Sequence, residues 1–179
     1  MPDIIIEIPY NSYIKYEVES NIKYGQETNN LIRCDRILNT SMNYPGNYGY
    51  VPNTLAGDGD PLDVLLICDY PLYPGIIIDV KFIGVLLTKD EKGDDEKMIA
   101  VPTKKVDPNY ENINDITDLQ TNIKSKIFHF FEHYKDTEPD KWVQVKNFEN
   151  KNFALKVLEN SIKNYKDNIP CSPSIIKRL

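Results

Sequence analysis

The sequence predicts a mainly β fold, built as a small barrel, with two helices at its C-terminal end. Short segments rich in β-branched and aromatic residues are separated by turns rich in Gly, Pro, Asn and Asp, and two later segments change to helical spacing. Many short strands of this kind favour closure into a barrel. The 179 residues and 41% hydrophobic content suffice for one core, so we expect a single domain over residues 1–179.

Strands are predicted where apolar residues alternate with polar ones, or run together, between turn residues. In "YIKYEVES", apolar and polar residues alternate, which places Lys15 and Glu17 on one polar face of a half-buried strand. The other predicted strands are IIIEIP, LIRCDRIL, LDVLLICD, IIIDVKFIGVLLT, KMIAVP and WVQVKNF.

Two segments with apolar residues three and four apart predict helices. The first is "TDLQTNIKSKIFHFFEHYK", with Thr117 and Gln120 as a capping box at its start, and we expect it to lie on the barrel. The second is "NFALKVLENSIKNY", which must end before Pro170. Its pattern indicates packing and no chemistry.

Charge and composition exclude several classes of function. The net charge of −6 argues against nucleic acid as the main ligand, because phosphate backbones are bound by surplus Lys and Arg. No apolar run approaches the ~18 residues of a membrane helix, and the N-terminus lacks the features of a signal peptide, so we expect a cytoplasmic protein. Cys34, Cys68 and Cys171 are odd in number and widely spaced, which predicts neither a disulfide framework nor a CxxC metal site.

The stretch "DGDPLDVLLICD" crowds Asp58, Asp60 and Asp63 at the start of a predicted buried strand. A solvated turn is the ordinary explanation, since Gly and Pro flank the acids. An EF-hand loop fails, because Leu62 takes a ligand position and Asp63 stands where the sharp turn needs Gly. The remaining hypothesis is that the carboxylates converge on hard cations.

A second acidic group occurs in "TKDEKGDDEKMIAVP", where Asp90, Asp94 and Asp95 lie in a turn between two predicted strands. Lys97 is two residues beyond Asp95 and therefore on the same side of an extended chain. A charged hairpin tip would explain the pattern equally. If the two acidic turns meet at one end of a barrel, they would hold two or more Mg²⁺ ions that bridge phosphate oxygens.

The segment "NYPGNYGYVPNTL" contains Tyr44, Tyr48 and Tyr50 among Gly, Pro and Asn. Such tyrosines are most often packing residues with a solvated hydroxyl. In a phosphate site, the same hydroxyls would donate hydrogen bonds to an oxyanion.

"DGDPLDVLL" is similar to the pattern of the soluble family I inorganic pyrophosphatases, in which an Asp, a small or polar residue, Asp, Pro, an apolar residue and Asp follow one another. The similarity continues in the family's order through EIPYNSYIKYE, DRIL, YPGNYGYVPNTL, YPLYPG, DEKGDDEKMIAVP and HFFEHYKDTEPDKWVQV. This resemblance covers nearly the whole chain. It implies a five-stranded, OB-like β-barrel with two flanking C-terminal helices, and Mg²⁺-dependent hydrolysis of inorganic pyrophosphate to two orthophosphates by direct attack of a metal-activated water. It also implies several Mg²⁺ ions per subunit and, as in bacterial members, a homohexamer.

The resemblance assigns a role to each matching position. Asp60 is expected to be the general base, since a carboxylate beside metal-bound water can accept its proton. The expected metal ligands are Asp58, Asp63, Asp90 and Asp95. The expected phosphate-binding residues are Lys15, Arg36, Tyr48, Lys97, Tyr134 and Lys135. Glu7 and Glu17 fall on accessory acidic positions.

Two other functions and one further cluster are weighed against this assignment. An OB-fold module that stacks nucleic-acid bases would need a basic, aromatic groove, whereas the turns here are acidic. A hydrolase of nucleotides or longer polyphosphates would need a base or sugar pocket, and no segment for one is evident.

His129 and His133, four apart on the first helix, are expected to form a core or subunit-contact pair and not a metal site.

Overall fold

The computed structural model describes residues 2–19, 22–23, 26–27, 31–91 and 93–168. The strands are β1 (Asp3–Ile8), β2 (Ile14–Glu19), β3 (Ile22–Lys23), β4 (Gln26–Glu27), β5 (Leu31–Ile37), β6 (Asn47–Tyr50), β7 (Asp63–Leu66), β8 (Ile77–Asp90), β9 (Gly93–Asp94), β10 (Lys97–Pro102) and β11 (Val143–Asn150). The helices are two 3₁₀ turns, η1 (Pro108–Tyr110) and η2 (Ile116–Asp118), and two α-helices, α1 (Thr121–His133) and α2 (Lys151–Asn168).

Five of these strands close into a ring. Their order is β1, β6, β7, β10 and β8, and β8 pairs again with β1. Every pairing in the ring is antiparallel except that of β7 with β10, which is parallel. The predicted five-stranded, OB-like barrel is therefore confirmed. The β2–β5 hairpin stands beside this ring, and β11 extends it along β8.

β7 and β10 are buried on both faces, since almost all of their successive residues, which point to opposite faces, are buried. Leu65 belongs to one apolar cluster and Val64 to the other. The first cluster includes Phe130 and Phe131 of α1, and the second includes Ala154 of α2. The two helices therefore cover different apolar surfaces of the sheet.

The predicted start of α1 was wrong. The capping box lies two residues earlier, where Asp115 accepts from the Thr117 amide and Asp118 accepts from the Asp115 amide. It caps η2, and α1 begins only at Thr121, after Gln120, whose side chain makes no capping hydrogen bond. The Asp115 carboxylate also accepts from the Lys151 amide at 3.0 Å, so it caps the start of α2 as well.

β6 was missed, because its sequence looks like a turn. It forms because Asn47, fully buried, accepts from the amides of Tyr10 (3.0 Å) and Leu72 (2.7 Å) and so fixes the strand between two loops. Gly49 permits the close pairing with β1, since a Cβ there would lie 1.9 Å from the Ile5 carbonyl oxygen. The periodicity of the sequence indicates neither the hydrogen bonds of Asn47 nor the close approach of β1 at Gly49.

The second helix was predicted correctly, and it runs to Asn168. Pro170, Cys171 and the rest of the C-terminal segment lie outside the described residues. Within the described part of the chain, no helix is long and apolar enough to cross a membrane. Cys34 and Cys68 are free thiols.

Candidate active site

A cleft of about 920 Å³ brings together residues from distant parts of the chain. They come from the β2–β5 hairpin, the segment between β6 and β7, the ends of β8 and β10, and the C-terminal end of α1. Every site residue predicted from the sequence lines this cleft: Glu7, Lys15, Glu17, Arg36, Tyr48, Asp58, Asp60, Asp63, Asp90, Asp95, Lys97, Tyr134 and Lys135. Residues of both acidic turns therefore lie in the same cleft.

Lys97 lies between the two acidic turns. Its Nζ donates to Asp63 Oδ2 and to Asp95 Oδ1, each at 2.5 Å, and only 5% of its side chain is exposed. Burial alone would lower the pKa of Lys97, but Asp63 and Asp95 outweigh that effect and raise it. The ammonium is therefore charged and neutralises carboxylates that would otherwise repel each other. Burial also raises the pKa of Asp95, against the opposing effect of Lys97.

Asp58 and Asp60 lie in a tight turn that is stabilised by an internal hydrogen bond. The Asp58 carboxylate accepts from the Asp60 amide at 3.1 Å, and Gly59 takes a positive φ of 88° that favours glycine. The segment just before this turn is attached to α2, because the Leu55 amide donates a hydrogen bond to the Ser161 carbonyl oxygen at 3.0 Å. Asp60 is consequently presented to the cleft on a fixed backbone.

The β2–β5 hairpin contributes two cations. Lys15 and Arg36 are paired in register, and Lys15 Nζ is 2.6 Å from Glu17 Oε1 and 3.5 Å from Asp35 Oδ2. Arg36 forms an ion pair with Glu138, in the segment after α1. The hairpin thus presents adjacent positive charges on one side of the cleft.

Lys135, two residues after the end of α1, is a further cation of the cleft. Lys135 Nζ donates to Asp90 Oδ2 at 2.9 Å and is 3.7 Å from Glu91 Oε2. Glu91 also accepts from Lys141 at 2.5 Å. Asp90, at the end of β8, and Lys135, after α1, therefore form an ion pair in which both side chains are largely buried.

Buried tyrosines complete the cleft. Burial raises the pKa of Tyr44, Tyr48 and Tyr134, so their hydroxyls stay neutral and can donate hydrogen bonds near neutral pH. The nearby Asp63 carboxylate adds to the effect of burial on the pKa of Tyr48.

Glu7 is a further acid of the cleft whose pKa is raised by burial, as that of Asp95 is. Its carboxylate accepts from the Val18 amide at 2.9 Å. Burial nevertheless raises the pKa of Glu7 to about 7, and the nearby Asp63 adds to the effect. Glu7 is thus a carboxyl group that can take up a proton near neutral pH.

Sequence reasoning assigned no role to four further ionisable residues that line the cleft: Asp35, Glu91, Lys141 and Tyr165. Asp35 directly precedes Arg36, and Glu91 directly follows Asp90. Their position next to predicted site residues was the sequence feature that could have identified them. Tyr165 lies on α2, so that helix also contributes to the wall of the cleft. Asp94, in contrast, does not line the cleft; it is exposed and 3.0 Å from Lys146.

The donor chemistry fits a hard cation, since all the converging acids offer carboxylate oxygens, which Mg²⁺ prefers. Among the described residues, no three His, Cys, Asp or Glu side chains are close enough together to enclose one metal ion. The Lys97 ammonium lies between two of the carboxylates, those of Asp63 and Asp95.

His129 and His133 lie outside the cleft. Their ring centroids are 4.8 Å apart, His129 is exposed, and His133 Nδ1 is 2.8 Å from Asp136 Oδ2. The possibility that they form a core pair was therefore wrong, whereas a subunit contact stays a prediction.

Comparison with known proteins agrees with this geometry. The family model described as inorganic pyrophosphatase matches residues 4–166. An inorganic pyrophosphatase of Nanoarchaeum equitans is 53% identical over 161 residues, covering 90% of this chain and 95% of that protein. One of Sulfolobus acidocaldarius is 48% identical over 161 residues, covering 90% and 89%. The solved structure of the Helicobacter pylori inorganic pyrophosphatase superposes with a TM-score of 0.85 at 46% identity, covering 92% of each chain.

Proposed function

The chain belongs to the inorganic pyrophosphatase family, and we propose that it hydrolyses pyrophosphate to two orthophosphates with Mg²⁺ as cofactor, by direct attack of an activated water. The observation that carries the cofactor proposal is the shared contact of Asp63 and Asp95 with one buried ammonium. Two converging carboxylates that already require a cation are suited to a divalent one. The basic side chains around these two carboxylates would neutralise the negative charge of a pyrophosphate anion.

The acids divide into cation ligands and a base. Asp58, Asp63 and Asp95 would hold the ions next to the attacking water, and Asp90 a further ion together with Asp95. Bound Mg²⁺ would neutralise phosphoryl charge and lower the pKa of the attacking water. Asp60 accepts the proton of that water, because it faces the cleft on a turn whose backbone the Asp58 carboxylate fixes.

The cations and tyrosines hold the substrate. Arg36 offers a planar fork to phosphate oxygens, and the lysines act as point charges. Tyr48 and Tyr134 donate hydrogen bonds, since their buried hydroxyls remain protonated. The cations are Lys15, Arg36, Lys97 and Lys135. As in other phosphoryl transfers, these groups align an in-line displacement and neutralise charge.

Glu7 and Glu17 act as accessory acids. Glu17 holds Lys15 at 2.6 Å and so orients a phosphate-binding ammonium. Glu7 accepts from the Val18 amide and thereby connects β1 to the strand that carries Lys15.

The chain acts, in this proposal, as one domain over residues 1–179 in a cytoplasmic homohexamer that binds neither nucleic acid nor membrane. Both α-helices pack on the same sheet, which supports one domain. The free thiols Cys34 and Cys68 suit a reducing compartment. The histidine pair of α1 is placed at a contact between subunits. Sedimentation of the native protein and of the double variant His129→Gln, His133→Gln tests the assembly, which the variant should weaken.

The substrate is tested by phosphate release from pyrophosphate and from ATP, each with Mg²⁺. We expect rapid release from pyrophosphate and little from ATP, because the cations suffice for two phosphates and no nucleoside pocket is evident among the described residues. Comparable rates on the two substrates would overturn the narrow assignment and favour a nucleotide hydrolase.

A further inference from the structure

Arg36 is held by a residue that does not itself belong to the cleft. Arg36 lies on β5, lines the cleft and has 36% of its side chain exposed. Its Nη1 donates to Glu138, which is 102 residues away in sequence and 19% exposed. Glu138 is not one of the described residues that line the cleft. Its carboxylate therefore reaches the guanidinium from outside the substrate site.

The neighbouring residue fastens the same two segments. Thr137 Oγ1 donates to the Asn39 carbonyl oxygen at 2.7 Å, just beyond the end of β5. Thr137 and Glu138 thus tie the segment after α1 to the strand that carries Arg36. That segment directly follows Tyr134 and Lys135, which also line the cleft.

The other contacts of Arg36 constrain it less. The Nε atom of Arg36 is 3.2 Å from Asp35 Oδ2. This buried Nε nevertheless donates no hydrogen bond of suitable geometry to any of the described residues. A long arginine side chain has many rotamers, and fixing one of them opposes substrate binding. A carboxylate that fixes the guanidinium before substrate arrives removes that cost from the binding step.

We propose that Glu138 is a positioning residue that holds the Arg36 guanidinium in the orientation that binds a substrate phosphate. This inference rests on the proposed function, in which Arg36 binds phosphate. Because Glu138 contacts the guanidinium from outside the cleft, substrate need not displace it. Losing this carboxylate therefore weakens substrate binding and does not release a competing charge.

A double-mutant cycle tests the proposal. The variants are Glu138→Gln, Arg36→Gln and their combination, and the measured quantities are kcat and KM for pyrophosphate with Mg²⁺. Glu138→Gln should lower kcat/KM by about tenfold, mainly through KM, and Glu138→Asp should restore part of the loss. In the Arg36→Gln background, Glu138→Gln should have almost no further effect, because the residue it positions is gone.

Thr137→Val is the matched control. It removes the adjacent hydrogen bond without touching the guanidinium, so its effect on kcat/KM should be small and equal in the presence and absence of Arg36. Unchanged kcat/KM in Glu138→Gln, or the same loss with Arg36 present and absent, would overturn the positioning role. An equal, uncoupled loss in Thr137→Val and Glu138→Gln would reduce Glu138 to a structural tie.

The affinity for inorganic phosphate, measured by calorimetry, gives a readout that does not depend on turnover. The same coupling between Arg36 and Glu138 should occur in phosphate affinity. If the native protein does not hydrolyse pyrophosphate, the proposed function fails, and the calorimetric cycle still decides the positioning role: coupling supports it and additivity rejects it. Thermal unfolding of each variant verifies that it is folded.

Discussion

Asp63, at the start of β7, and Asp95, just before β10, accept hydrogen bonds from the same ammonium group, that of Lys97, at 2.5 Å each. Two partly buried carboxylates at such close range repel each other strongly, because the protein interior screens charge poorly. The buried lysine offsets that repulsion. In the proposed function, a divalent cation would offset the same repulsion when Lys97 contacts a substrate phosphate.

Lys97→Gln should destabilise the metal-free protein by about 3–5 kcal/mol, because it leaves two partly buried carboxylates without their cation. Mg²⁺ should restore part of the loss by replacing the missing charge. Urea unfolding with EDTA and with Mg²⁺ measures both effects. Lys104→Gln is the control, since Lys104 is exposed and pairs with Glu111 at 2.5 Å, and it should change stability little. Equal losses in the two variants would contradict the structural role of Lys97.

Asp60→Asn should lower kcat by roughly two to four orders of magnitude while the protein stays folded, because it removes the proton acceptor and keeps the shape of the side chain. Steady-state kinetics together with thermal unfolding provides the measurement. Asp94→Asn, an exposed acid outside the cleft, should retain native activity. A kcat for Asp60→Asn within a few-fold of native would remove Asp60 from the role of base.

The double variant Asp63→Asn, Asp95→Asn should bind Mg²⁺ more weakly than the native protein, because each change removes a charged oxygen ligand. Calorimetric titration with Mg²⁺ measures the affinity. Asp94→Asn is again the matched control, since it removes one adjacent charge from the same turn but none from the cleft. Native affinity in the double variant would show that neither acid is a metal ligand.

Glu7→Gln should stabilise the metal-free protein at alkaline pH. The folded pKa of Glu7, about 7, is above the ordinary value of 4.5, so folding favours its protonated form. Its contribution to stability is complete below the unfolded pKa and is lost as pH rises through the folded value. Gln keeps the oxygen that accepts from Val18 and carries no charge, so the variant should gain about 1–3 kcal/mol over the native protein at pH 8 and almost nothing at pH 4.

Urea unfolding at both pH values, with EDTA, gives the comparison for Glu7. A stability difference between the variant and the native protein that is the same at pH 4 and pH 8 would contradict the raised pKa.

The candidate site could be predicted from sequence where its residues are neighbours in the chain. The spacing of Asp95 and Lys97 predicts that they share one side, and they do. The contact of Lys97 with Asp63 depends on the parallel pairing of β7 with β10, which sets Met98 opposite Val64. Strand periodicity does not specify that partner. The contact between Arg36 and Glu138, far apart in sequence, was unpredictable for the same reason.

The fold shows the same division between local and tertiary signals. Alternation and apolar runs were sufficient for the longer strands, because one or both faces of those strands are buried. β6 was missed because its formation depends on hydrogen bonds from Asn47 to distant loops. The start of α1 was misplaced because two overlapping patterns, Asp115 with Asp118 and Thr117 with Gln120, both satisfy a capping box. Aspartate caps more strongly than threonine, and the structure uses the aspartate pair.

Phosphate release from pyrophosphate by metal-depleted protein, titrated with Mg²⁺, tests the central claim most directly. The claim is that the carboxylates of the cleft bind the cations on which pyrophosphate hydrolysis depends. We predict negligible release with EDTA, and release that rises with Mg²⁺ and saturates over the concentration range in which calorimetry detects Mg²⁺ binding to the native protein. The same rate with EDTA as with saturating Mg²⁺ would contradict the claim.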